Sequence, residues 1–371
     1  MKHYYSMKGQ FDIFNGFIEK AVQLLRYSGK FGFIIPIRFV MNPDYRLLRE
    51  LLLNKTKIEE IFDTGEHIFK GVEMPSSILI FSKTSATDGL STNVIKIRSV
   101  RGHYLSGNFE THTIKQSQIA QGNELVFGIY QTEEEQTVVK KIRKCSAPLK
   151  KYLSNARGVE IGKKSSLITK KRDFNTVHFL VGEDIGRYYL NCDKFLILGD
   201  KTINYKSPST YEGNKILIRK TGRGINAVLD TKGYYVIQVI YIFKKLDISS
   251  PINEKYFLAL LNSKLMSFYY FCTFGEKHKK AFPHLKQTQI LRLPIRPIDF
   301  SNPDDVAMHN QLVQLVDIML ELNRRLQSAP TESDRERIRL QIQSTDRKID
   351  NLVYKLYNIT EDEKKIIEGN I

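Results

Sequence analysis

The chain has 371 residues, of which 42% are hydrophobic: enough for two or three domains with real cores, and too many for a disordered tail. Its 57 Lys and Arg against 40 Asp and Glu leave a formal net charge of +17, which points to a polyanionic partner. Three cysteines without C-x-x-C spacing argue against a zinc site or a disulfide scaffold and fit a reducing cytoplasm, and with no apolar h-region and no run of about 18 apolar residues, neither a signal peptide nor a membrane span is expected.

Residues 10–27 place Phe11, Phe14, Ile18, Ala21 and Leu25 three or four apart, so a helix with one apolar face is expected, ended by YSG with Gly29 as a left-handed cap. FGFIIP (31–36) has the continuous apolar character of a parallel strand buried on both faces. Asn42 and Pro43 start a second helix with Leu48 and Leu52 facing inward. KIEEIFD (57–63) and SSILIFS (76–82) are two more strands, and the set reads as the second half of a doubly wound sheet. KTSATDGLSTN (83–93) is a polar linker.

From residue 94 short β runs follow: VIKIRSV, ELVFGIY, HFLV, KFLIL, KILIRK and YYVIQVIYIF. Helices interrupt them at the capping box Thr132-x-x-Glu135 and at EKYFLALLNSKLMSFYYFC (254–272), which is apolar on most faces. Beyond LPIRPIDF (293–300), Asn302 and Pro303 open a helix with the stripe Leu312, Leu315, Met319, Leu322 and Leu326. Ser333-x-x-Glu336 caps a second helix, whose Ile338, Ile342, Thr345, Ile349, Leu352 and Leu356 form a short heptad seam, so an antiparallel pair is expected. Thr360-x-x-Glu363 caps a last helix. The expected fold is α+β: a partial Rossmann-like half-sheet at 1–93, a β-rich domain at 94–300 and a helical pair at 301–371.

Catalytic motifs are absent. No G-x-G-x-x-G follows a strand, no H-E-x-x-H occurs, and GVEIGKKS (158–165) is one residue short of a phosphate loop. No metal site is expected. Positive charge is concentrated instead. Segment 140–172 holds twelve Lys and Arg, among them Lys141, Arg143, Lys163, Lys164, Lys170, Lys171 and Arg172, with Glu160 its only acid. A one-signed stripe of this kind neutralises phosphates, although a solvated helix face has the same composition. Further clusters are Arg219, Lys220 and Arg223 at a strand–turn junction, and Lys277, His278, Lys279 and Lys280 after the buried helix. Arginines at strand ends can reach base edges in the major groove.

Several phrases together resemble a known family. KGQFDIFNGFIEKAVQLLRYSGKFGFIIPIRFV resembles the segment just after the NPPY motif of N6-adenine DNA methyltransferases, and FDTGEHIFKGVEMPSSILIF resembles a later motif of that family. ARGVEIGKKS, LVGEDIGRYY, ILIRKTGRGINAVLD, FLALLNSKLMSFYY and LPIRP follow in the order of TaqI-like C-terminal specificity domains, and IDNLVYKLYNITEDEKKIIE resembles the closing helix of type IIG restriction-modification proteins. The resemblance implies a methyltransferase half-sheet at 1–93, a target-recognition domain at 94–300 and a supporting helical hairpin at 301–371. It implies sequence-specific binding of double-stranded DNA, with Arg187 of LVGEDIGRYY joining the cations above as a DNA contact. It places Phe17 beside the adenine of S-adenosylmethionine and Phe69 against a flipped target adenine, whose unstacking an aromatic face offsets.

The chain departs from the family in lacking the glycine-rich cofactor motif, the acid that holds the ribose, and NPPY. Nothing then positions a methyl donor in line with N6. The expectation is that S-adenosylmethionine serves the intact enzyme, that this chain alone neither binds it tightly nor methylates DNA, and that an N-terminal methyltransferase half or a separate catalytic chain completes it. A protein-binding scaffold is the alternative from another class.

Overall fold

In the computed structural model, which describes residues 4–65, 68–71, 74–85, 89–100, 107–120, 125–129, 131–222, 224–274 and 284–369, helix α1 (Ile13–Leu24) buries Phe14, Ile18 and Val22 along one side. Ser28, not Gly29, takes the left-handed conformation that follows (φ 61°), because its amide bonds the Lys83 carbonyl at 2.9 Å. Strand β1 (Lys30–Pro36) then leads through a Pro43–Tyr45 turn into α2 (Arg46–Lys55). Asn42 accepts the Asp44 amide, as an N-cap should. Arg49 of α2 is fully buried and donates to the carbonyls of Phe39 and Asn42 at 2.8 and 2.7 Å.

Strands β2 (Thr56–Gly65), β3 (Ser76–Lys83), β4 (Val94–Val100) and β5 (Phe109–Lys115) complete a five-stranded sheet of order β1-β3-β2-β4-β5. FGFIIP is therefore not an inner parallel strand. It lies at the edge, antiparallel to β3, with Ile34 49% exposed. β1 and β2 run the same way, as a crossover through α2 requires, but β3 returns antiparallel between them. Within this sheet, among the described residues, only β2 and β4 pair in parallel.

That pairing moves the domain boundary. Strands β4 and β5 extend the first sheet instead of opening a second domain at 94, and helix α3 (Gln116–Ala120) locks them there. The Gln116 side chain accepts the Ile58 amide at 3.1 Å and donates to the carbonyls of Leu53 and Thr56 at 3.0 and 2.8 Å. ELVFGIY is no strand over its described residues 125–129; Phe127 and Ile129 enter the same core as irregular chain, with the Phe127 amide on the Val40 carbonyl. The chain divides into compact units Met1–Thr132 and Glu133–Ile371.

The second unit begins with α4 (Glu133–Lys144), β6 (Ala147–Pro148), β7 (Leu153–Arg157), β8 (Ile168–Thr169), β9 (Thr176–Leu180), β10 (Ile185–Gly186), β11 (Tyr189–Leu190) and β12 (Lys194–Ile197). It continues with β13 (Lys215–Arg219), β14 (Ala227–Asp230), β15 (Tyr235–Val236), β16 (Ile240–Lys245), α5 (Glu254–Asn262), α6 (Lys264–Phe274), α7 (Gln287–Ile290), β17 (Pro294–Ile295), α8 (Pro303–Ser328), α9 (Glu332–Leu356) and α10 (Glu361–Glu368). Two four-stranded sheets form, β14-β13-β16-β7 and β15-β9-β12-β8.

The first of these sheets is covered on both faces. Ile216, Ile218, Ala227, Tyr241 and Phe243 alternate into the helical core, while Leu217, Val228, Ile240 and Ile242 alternate toward the second sheet. This two-sided burial explains why KILIRK reads as a continuous apolar run although its pairing is antiparallel. At its start Lys215 and Asp230, direct cross-strand partners, make a 2.6 Å ion pair with both side chains wholly buried.

YYVIQVIYIF, expected as one strand, changes sheets. β15 joins β9 and, after a turn at 237–240, β16 joins β13. Gln238 stabilises the switch by accepting the Ile161 amide, and a Cβ on Gly158 would lie 2.1 Å from the Val236 carbonyl oxygen, so only glycine fits there.

The helix expected over 254–272 is broken at Ser263. The Asn262 side chain turns back on β14, accepting the Ala227 amide and donating to its carbonyl, both at 2.9 Å. The Asn262 carbonyl accepts from Arg187, and the Lys264 amide, opening α6, donates to Asp350 of α9 at 2.9 Å. The final helices follow expectation in Asn302 capping α8 and Thr360 capping α10, but Thr331, not Ser333, caps α9 because its hydroxyl reaches the Asp334 amide. Val316 and Val353 share the main core with the sheet, so residues 301–371 belong to the second unit instead of standing as a separate domain.

Replacing Asn262 with Ala leaves the buried Ala227 amide unpaired, and a loss of about 2 kcal/mol is expected in urea unfolding. Burial pushes the Asp350 carboxyl from its ordinary 3.8 up to about 6, against the Lys264 amide, which favours the charged form. The folded chain thus holds this proton more tightly than the unfolded one. Its stabilising effect is complete below pH 3.8 and is lost as pH rises through about 6. Asp350→Asn should remove about 2 kcal/mol of the difference in unfolding free energy between pH 4.5 and pH 7.5.

Candidate nucleic-acid interface

The fold divides the cations that the sequence lists together. Lys141 of α4 pairs with Glu363 of α10 at 2.6 Å, and Arg143 donates to the Tyr269 hydroxyl at 2.7 Å; both clamp helices. Farther along, the charges turn outward. Lys163, Lys164, Lys170, Lys171 and Arg172 are all exposed on the loops between β7 and β9. Lys163 pairs with Glu183, whose carboxyl it holds below the usual range, and Lys170 pairs with Asp193 at 3.2 Å. Among the described residues Lys164, Lys171 and Arg172 make no ion pair, so their charge is available to an anion in solution.

Arg187 points the other way. It grips Asp346 of α9 through two bonds of 3.0 and 2.7 Å and the Asn262 carbonyl at 2.8 Å, holding the β10–β11 turn on the helical pair. That geometry leaves it no free fork for a phosphate or a base. Arg219 and Lys220 are half-buried at the end of β13, with Arg219 Nε near the Thr221 hydroxyl at 3.4 Å. Arg223, Lys277, His278, Lys279 and Lys280 lie outside the described residues. The chain returns beside the first cluster at His284, which bridges to Thr221, and the Leu285 amide bonds the Lys220 carbonyl at 2.8 Å. Residues 284–285 are thereby anchored to the same rim of the central sheet as Arg219 and Lys220.

Aromatic groups that composition and motif spacing did not single out accompany these cations. Phe174, between Asp173 and Asn175 on the β8–β9 loop, is 96% exposed. His178 of β9 lies 4.7 Å from the Phe195 ring of β12 and 5.6 Å from the ring of Tyr234, just before β15, forming a short aromatic row. The available signal for Phe174 was the string KKRDFN, an aromatic beside three cations in a turn.

In the first unit, Phe17 is 59% exposed on α1 with Phe33 at 6.3 Å, and Phe69 is 48% exposed. The acids near Phe17 are engaged: Asp12 with Arg38 and Tyr45, Glu19 with the amides of Tyr5 and Ser6 at 2.8 and 2.7 Å. Among the described residues no group of three or more His, Cys, Asp or Glu side chains could hold a metal ion, and no helix is long and apolar enough to cross a membrane.

Residues 177–295, from β9 through β17, match the TaqI-like C-terminal specificity domain, and residues 1–69 match the Eco57I restriction-modification methylase. The chain is 27% identical over 367 residues to a Methanocaldococcus jannaschii protein described as a type II restriction enzyme and methyltransferase, a similarity covering 94% of this chain and 29% of that protein. It is 34% identical over 76 residues to a type II methyltransferase of Thermus thermophilus, covering 20% of this chain and 17% of the relative. The chain thus spans less than a third of the length of either relative. The type IIL restriction-modification enzyme MmeI, solved in complex with DNA, shares its fold with a TM-score of 0.58 at 13% identity, across 97% of this chain and 52% of that one.

Arg187→Gln tests the structural assignment of that residue. Its side chain is 36% exposed, so a loss of about 1–2 kcal/mol is expected in urea unfolding, short of the cost of breaking a fully buried pair. Unchanged stability would return Arg187 to the set of free cations.

Proposed function

We propose that this chain, which joins an Eco57I-type restriction-modification methylase segment to a TaqI-like specificity domain, recognises a specific sequence in double-stranded DNA as the specificity-bearing part of an adenine-N6 methyltransferase. The observation that carries this reading is the free positive charge of Lys164, Lys171 and Arg172 on loops supported by the two stacked sheets. These cations give affinity through phosphates, and they carry no sequence information themselves. Arg219 and Lys220, at the end of β13, together with Arg223, Lys277, His278, Lys279 and Lys280, supply the side chains that reach base edges. Such a role places the protein in the cytoplasm.

S-adenosylmethionine supplies the methyl group in the intact enzyme. The described residues fit that cofactor only in part: Phe17 offers an open aromatic face, but Asp12 and Glu19, the acids nearest to it in sequence, are engaged elsewhere. Phe69 stacks on the extruded adenine. A second reading, a specificity chain working with a separate catalytic chain, is favoured by β1, whose outer edge no described strand pairs.

The test is selection of duplexes from a random library, followed by titration of affinity against salt. A defined consensus is expected, with log affinity falling by about 0.9 per phosphate contact for each unit of log salt. Failure to bind any duplex at low salt, or an affinity indifferent to salt, overturns the reading. In calorimetry S-adenosylmethionine is expected to show no tight binding to this chain alone; micromolar affinity would mean that the half-sheet holds more of the cofactor than Phe17 suggests.

A further inference from the structure

Phe174 is the most exposed large apolar side chain among the described residues. One exposed phenylalanine is unremarkable by itself, since monomers show scattered apolar residues on their surfaces. Its support is what distinguishes it. The 170–175 segment carries the chain from Thr169, opposite Phe195 near the start of β12, to Thr176, opposite Ile197 at its end, and hydrogen bonds brace it along its length. The Lys171 amide donates to the Thr169 hydroxyl at 3.0 Å, and the Thr176 amide and hydroxyl both donate to the Asp173 carbonyl, at 3.2 and 2.7 Å. The Leu198 amide of the neighbouring chain holds the Asn175 carbonyl at 2.9 Å. Asp173, the only acid of the loop, turns its carboxylate onto the Phe174 amide at 2.7 Å. A ring held this way loses little backbone freedom when it enters a site.

The surroundings choose the partner. Lys171 and Arg172, both exposed and without an ion-pair partner among the described residues, precede the ring, and Lys170 beside them is 77% exposed. An apolar side chain flanked by free cations is complementary to a stack of bases bordered by phosphates. Insertion of such a side chain between base steps kinks a duplex and exposes more of it to the protein.

We propose that the 170–175 loop is a DNA-distorting wedge: Phe174 inserts at a base step of the bound duplex while Lys171 and Arg172 hold the phosphates on either side. The inference rests on duplex binding by this chain and adds to it a mode of recognition. A wedge favours the steps that unstack most easily, so a pyrimidine–purine step is expected under Phe174, read through its deformability instead of its hydrogen-bonding edges.

The test uses the full chain with a random duplex pool, and a closed circular plasmid relaxed by a topoisomerase in its presence. Phe174→Ala should melt at the wild-type temperature, bind about tenfold more weakly, keep the wild-type salt slope and lose most of the linking-number change that the wild type produces. Phe174→Leu should retain part of that change, because any bulky apolar group can wedge. The double variant Lys171→Gln with Arg172→Gln should lower the salt slope by about 2 while keeping the linking-number change per bound protein. If the wild type binds duplex and Phe174→Ala matches it in affinity and linking number, the wedge is wrong and duplex recognition stands. If the wild type binds no duplex, the reading of function fails, and the wedge with it.

Discussion

The end of α5 at Asn262 frees backbone groups that the helix would otherwise satisfy within itself. Such groups must find partners elsewhere when they are buried. Here they become ties: the Asn262 carbonyl receives Arg187 from the β10–β11 turn, and the Lys264 amide reaches Asp350 on α9. The Asn262 side chain meanwhile completes the backbone bonding of Ala227 on β14. The central sheet, the turn that protrudes from it and the long helical pair therefore meet at one break. An unbroken helix over the same residues would keep its carbonyl and amide groups to itself and leave the three elements without a common point.

Above that point, the second unit is a stack of helices, two-sided sheet and outer sheet, and the exposed cations sit on the outermost layer's connections. This arrangement separates rigidity from recognition. Strands β13, β14 and β16 are buried along most of their length, whereas the loops between β7 and β9 can change composition without touching the core. The pairing of charges follows the same division: cations near the helices meet acids from the C-terminal segment, as Lys141 meets Glu363, and those on the outer loops remain largely in water.

Much of this was legible. Side-chain caps at Asn302 and Thr360 depend on neighbours two or three residues away, and local spacing located them. The alternation of the heptad seam likewise located the helical pair. Three features were beyond local patterns. An apolar run does not say which way its neighbours run, nor always how far it is covered: KILIRK and FGFIIP both pair antiparallel, yet the first is buried and the second lies at an edge with Ile34 exposed. The break at Ser263 contains neither Pro nor Gly; it forms because Ala227, Arg187 and Asp350 compete successfully for the backbone and side chain at that place. Of the candidate interface, the outward loops were visible as a one-signed stripe. Arg187 looked equivalent to them only because Asp346 is 159 residues away.

The buried pair of Lys215 and Asp230 bears on how the chain reaches this structure. The two residues face each other across β13 and β14, in strands whose other residues are almost all apolar and so give little reason to prefer one alignment. Any shifted hairpin would place an ammonium and a carboxylate separately in a dry interior, at a cost of several kcal/mol each. Misaligned hairpins are therefore disfavoured once the sheet is covered. Specificity of folding, more than depth of stability, is what this single ion pair secures for a sheet that is covered on both sides.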